Sequence, residues 1–186
     1  MSNFDEYLKY FFWDFKRMDN VVYNYRIIEN LVLNNSELIV KPVVILTISM
    51  IECILYDFLT RVKQHVNEKV SGLTDDEVKS IKGKDLPNAL NNYIELCKKH
   101  KIFTDEIHNM LCKFCEIRNR VHIQNVKGYC PSDESLLWNK ELGIESGGLL
   151  RNIIFHLSKN YPRPSDFHQS PELSLDSFPF PWANLK

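Results

Sequence analysis

Within the stretch Glu116-Ile117-Arg118-Asn119-Arg120-Val121-His122-Ile123, a guanidinium, an amide, a second guanidinium and an imidazole follow in close succession. Ile107, Leu111 and Phe114 precede it at helical spacing, and the next steps of that apolar stripe are Arg118 and Val121. An arginine on such a stripe loses water, so it needs an anionic partner or an anionic ligand. His122 follows four residues after Arg118, about 40° round a continuing helix and hence on the same side. A guanidinium beside an imidazole can handle a phosphate. It is equally a pair that holds a core together.

The anionic partner is sought in the most apolar part of the chain. Ile39 to Leu59 is apolar nearly all round a helix, which marks a central element, and Glu52 stands in its middle. A carboxylate there is rarely left alone, so Glu52 is expected to pair with Arg118, either as a structural salt bridge or to orient the guanidinium for a ligand.

Arg-Asn followed shortly by His, near the end of a helix, after a long apolar helix with a lone glutamate and before a closing helix ending Asn160-Tyr161-Pro162-Arg163-Pro164, resembles the HEPN superfamily over residues 36–164. Only Asn119, Arg120 and Val121 separate Arg118 from His122, fewer than that family usually leaves. The resemblance implies an all-helical fold and one of two functions. One is metal-independent endoribonuclease activity, at home in toxin–antitoxin or antiviral systems. The other is a non-catalytic binding module in which Arg118, Asn119, His122 and Glu52 are structural.

RNA cleavage without metal needs a base for the ribose 2′-hydroxyl, an acid for the leaving oxygen and a cation on the phosphate. In that reading His122 transfers protons, Arg118 and Arg120 hold the phosphate, Asn119 orients the phosphate or the imidazole, and Glu52 locks Arg118. One suited histidine per chain implies a two-fold homodimer that brings two copies together. RNA is the implied substrate, and an antitoxin or other protein the implied partner. No cofactor or metal is called for.

A rival motif lies in the closing helix, Arg151-Asn152-Ile153-Ile154-Phe155-His156. On an unbroken helix its arginine and histidine point about 140° apart, which makes it the weaker candidate.

Net charge is −1, so the chain as a whole is no nucleic-acid glove, but the charge is uneven. Between Lys98 and Lys127 seven basic residues face three acidic ones, a local excess of +4 that leaves the remainder near −5. The five cysteines (Cys53, Cys97, Cys112, Cys115, Cys130) are odd in number and scattered, and the first residues do not resemble a signal peptide. Reduced thiols and a cytoplasmic address are expected. Cys112 and Cys115 fit helical packing better than zinc, for want of a second ligand pair. The apolar run from Val43 to Ile51 is too short and too interrupted for a membrane span. No phosphate loop, nucleophile elbow, HExxH or internal repeat occurs.

The expected fold is all-α: a single-domain antiparallel bundle of about five helices over residues 1–161, then an extended Pro/aromatic arm over 162–186. The first helix spans 4–33, with Asp19-Asn20 as a candidate break. The second spans about 36–66, followed by a connection with a short helix near 74–81. The third spans 86–100, the fourth starts at Thr104 and ends near Ile123, and the last spans 148–160. The arm holds Phe167, Phe178, Phe180 and Trp182 among five of the eight prolines, so it is expected to be non-helical and to lie on the bundle or on a neighbouring subunit.

Overall fold

The longest apolar run of the sequence becomes the central helix of an all-α bundle, seen in a computed structural model that describes residues 4–9, 11–34, 37–64, 72–83, 89–120, 133–162 and 177–185. In chain order the helices are α1 (Phe4–Lys9), α2 (Phe15–Asn34), α3 (Val40–Gln64), α4 (Asp75–Lys82), α5 (Leu90–Lys99), α6 (Asp105–Asn119), α7 (Glu134–Leu137) and α8 (Lys140–Asn160). Short 3₁₀ turns occupy Glu37–Ile39 and Pro181–Asn184, and no strand occurs among the described residues. α3 packs most extensively on α8 and then on α2, and also meets α4, α5 and α6. By length and composition α3 could cross a membrane, with a mean hydropathy of 1.9, yet 67% of that window is buried inside the bundle.

Local signals set several boundaries where the sequence puts them. Thr74 caps α4 and Glu77 returns the bond to the Thr74 amide at 2.8 Å, a reciprocal capping box. Those bonds from the Thr74 amide and hydroxyl hold the Glu77 carboxyl below its usual range. Thr104 caps α6 with acids in its first turn, whereas Asn139, which caps α8 through the Leu142 amide at 2.9 Å, sets a start that the sequence reading placed later.

Other boundaries depart from expectation. The first helix is broken at Phe11–Asp14 rather than at Asp19-Asn20, and two side chains of α3 impose the break. Asp57, 1% exposed, accepts hydrogen bonds from the Trp13 amide (2.7 Å), the Asp14 amide (3.2 Å) and Arg17 Nε (3.0 Å). Burial works against the Arg17 charge, but the bond to Asp57 and that carboxylate's charge outweigh it and hold the guanidinium above its ordinary value. Arg61, also 1% exposed, donates to the Phe11 and Tyr161 carbonyls, both at 2.8 Å. A buried carboxylate thus anchors the start of α2 while a buried guanidinium ties the end of α1 to the end of α8.

The last helix starts at Lys140, eight residues before Gly148. Gly143 and Gly147, ahead of the expected start, cut a slot along α8. A Cβ on Gly147 would overlap the Trp182 ring, and one on Gly143 would overlap Leu185. Trp182 is 0% exposed in that slot and its Nε1 donates to Thr47 Oγ1 on α3 at 3.0 Å. Thr47 in turn donates to the Val43 carbonyl at 2.7 Å, so the indole N–H meets an oriented acceptor.

The described part of the arm therefore lies on its own bundle. It is not wholly extended either, because Pro181–Asn184 forms a 3₁₀ turn with proline at its start, where the missing N–H costs nothing. Phe178 packs edge-on against Phe4 and Tyr7, and Tyr7 Oη bonds Ser177 Oγ at 2.7 Å.

Candidate functional site

Arg118 projects from the last turn of α6 and Glu52 from the middle of α3, and their Nη2 and Oε2 atoms lie 2.7 Å apart. The expected pair is formed. Its setting differs from expectation, since the Arg118 and Glu52 side chains keep 37% and 23% exposure. It sits at the rim of the core, where an ion pair contributes about 0–1 kcal/mol to stability after solvent screening. Holding the bundle together is a small part of what such a pair can do. Glu52 fixes one edge of the guanidinium, and its other donors, part-exposed among the described residues, can meet an anion.

Asn119 is exposed next to it, at the end of α6. Arg120 behaves otherwise. Its amide closes the helix onto the Ile117 carbonyl at 3.1 Å, and its side chain is buried at 6% exposure. It faces α7: Glu134 is held below its usual range chiefly by the hydrogen bond from Lys41, with the Arg120 charge contributing. Arg120 is thus no surface cation for a phosphate, contrary to the sequence reading. His122 lies outside the described residues, as do Val121 and Cys130. The described helix ends at Asn119 with Arg120 as its cap, short of Ile123, so the helical step that sets His122 beside Arg118 is not part of α6 as described.

Aromatic and charged groups continue the site away from Arg118. Burial, then the Glu52 charge, raises the Tyr93 phenol above its ordinary value. The Tyr93 ring lies 5.8 Å from that of Tyr56, and the Arg17 guanidinium sits 5.1 Å above Tyr56. The row from Arg118 through Glu52, Tyr93 and Tyr56 to Arg17 draws on α6, α3, α5 and α2. Glu52, Asp57 and Asp14 outnumber its two arginines, so it exerts no long-range pull on anions. A phosphate here would be held by short-range donors, not by a positive field.

The rival motif is parted by the fold. Arg151 lies over the Phe180 ring at 4.9 Å, whereas His156 Nε2 contacts the Ile102 carbonyl at 2.6 Å and its ring sits 5.3 Å from Phe103. Burial lowers the His156 pKa, and the bond to Ile102 only partly opposes this. The sign of its pH effect follows. Above the ordinary histidine range both folded and unfolded chains carry the neutral ring, and this contribution is fully present. As pH falls through that range the unfolded chain takes up the proton first, so stability is lost until the depressed folded pKa is reached. Urea midpoints compared between pH 7.5 and 5.5 should accordingly drop further in the native protein than in His156→Gln. An equal drop in both would remove His156 from the titration.

The described thiols are poor nucleophiles. Burial pushes Cys97 up to about 12 and Cys53 up to about 11, and also raises Cys115 against the pull of Arg118. Cys112 Sγ is 3.6 Å from His108 Nε2, one turn earlier on α6. Among the described residues no three or more His, Cys, Asp or Glu side chains converge as metal ligands.

Asp57 and Arg61 were missed as positioning residues. Their signal was present: two opposite charges four apart in the apolar stretch of a central helix, so that both are forced inward. Comparison of the chain with protein-family models, with curated proteins and with solved structures gives no match.

Proposed function

We propose that the chain is a HEPN-like endoribonuclease that cleaves RNA without metal, with Arg118 and Asn119 binding the scissile phosphate and His122 transferring protons. The observation that carries the reading is the Glu52–Arg118 pair, which leaves a half-exposed guanidinium oriented beside an exposed amide. Arg120, being buried, is dropped from phosphate binding in this proposal. A two-fold pair of chains would supply the second imidazole. The same resemblance suggests a cytoplasmic defence or toxin–antitoxin setting, with an antitoxin or other protein as partner.

A non-catalytic binding module is the second reading, favoured by the acid excess around the row from Arg118 to Arg17. Purified protein incubated with total RNA in EDTA separates the two. Cleavage by the native chain should fall by about 10²–10⁴-fold in His122→Ala, the usual worth of a general acid–base group. Arg118→Gln should lose comparable activity while the circular dichroism of both variants stays native. Retained cleavage in His122→Ala overturns the mechanism, and no cleavage by the native chain selects the binding module.

A further inference from the structure

Further along α2, towards its C-terminal end, the helix meets the C-terminal turn without closing on it. Tyr25, Glu29, Val32 and Leu33, at helical steps, form one wall of a cleft of about 290 Å³, and Phe180 and Pro181 belong to the other. Its size is at the lower end of the range of small-molecule sites. The wall from α2 is held in place, because Tyr25 is 0% exposed, stacks on Phe4 at 3.9 Å and donates to the Pro179 carbonyl at 3.2 Å. The opposite wall is held too. Trp182 is locked in its slot, and Arg151 lies over the Phe180 ring without lining the cleft.

Within this apolar, aromatic lining stands one carboxylate. Glu29 is partly buried, and among the described residues no lysine or arginine forms an ion pair with it. Burial, then the Glu29 charge, raises the Tyr25 phenol well above its ordinary range, so the carboxylate and a protonated hydroxyl sit together. Leu33, also in the lining, is 79% exposed. The chemistry complementary to such a lining is a positive charge joined to an apolar body. The charge meets Glu29, and the body covers Phe180, Val32 and Leu33.

We infer that the cleft between α2 and the C-terminal turn binds a small organic ammonium ion, its charge on Glu29 and its apolar body against Phe180, Val32 and Leu33. This site stands apart from the Arg118 site and does not depend on what that site does.

Three probes of one shape and different charge test it on the full chain: benzylammonium, benzyl alcohol and benzoate, titrated by protein-observed NMR. Benzylammonium should bind about tenfold more tightly than the alcohol, in keeping with a partly desolvated ion pair, and benzoate should not bind. Glu29→Gln should bind cation and alcohol alike. Should that variant lose its helical circular dichroism, Leu33→Arg, altered at an exposed position, serves instead. It sets a tethered cation at the mouth and should weaken benzylammonium about tenfold. Failure of benzylammonium to bind, equal affinity for cation and alcohol in the native chain, or undiminished cation preference in the folded variant overturns the assignment.

Discussion

Gly147→Ala is expected to lower stability by roughly 1–3 kcal/mol, the cost of overpacking a filled core. The sign is informative, because alanine in place of glycine inside an exposed helix would stabilise it by about 0.5–1 kcal/mol. Here the added methyl meets the Trp182 ring in its slot on α8. Trp182→Ala alone should cost about 3–5 kcal/mol, through the lost burial and the cavity left behind. It also leaves Thr47 Oγ1 without the indole donor.

In the double variant the methyl occupies space the indole has vacated, so Gly147→Ala should become neutral or stabilising once Trp182 is gone. A coupling of about 0.5–3 kcal/mol between the two sites, measured by urea denaturation, is the expected result. Additive effects would mean that the ring does not occupy the slot.

Arg61→Met is the second large effect, a loss of about 3–5 kcal/mol. The guanidinium is buried and spans the Phe11 and Tyr161 carbonyls, 50 and 100 residues away in the chain. Methionine matches the stem but leaves both carbonyls facing apolar surroundings, and each charge-assisted bond contributes about 1.5–3 kcal/mol. Arg61→Lys should recover less than half, because one ammonium cannot reproduce the fork that bonds two separate acceptors. Hydrogen exchange supplies a local readout. Amides of the α1–α2 turn should exchange faster in Arg61→Met than those of mid-α3. Uniform acceleration would instead indicate general loosening.

Much of the architecture was legible before any coordinates. The apolar run through α3, the caps at Thr74 and Thr104 and the acid–base complement of Glu52 and Arg118 are local or pairwise signals. Each follows from a periodicity, or from the cost of an unpaired charge. The errors share one cause. The break at Phe11–Asp14 is made by Asp57 and Arg61, more than 40 residues downstream, through bonds to backbone that carries no sequence signature. The start of α8 was expected eight residues late because the role of Gly147 depends on an indole 35 residues further along the chain. Arg120 looked like a surface cation beside Arg118, yet α6 ends at it and turns its side chain inward.

Helicity, the central place of α3 and the meeting of an inward-leaning arginine on α6 with the glutamate of α3 all follow from the order of the residues. Apolar spacing and charge desolvation act along the chain, so they are written in it. Only the tertiary structure decided that this pair stands at the rim rather than in the interior, that the C-terminal turn fills a slot cut by glycines, and that the cleft beside it keeps a carboxylate among aromatic walls. Those outcomes depend on which surfaces meet across the bundle, and packing between distant segments leaves no period for a reader of the sequence to find.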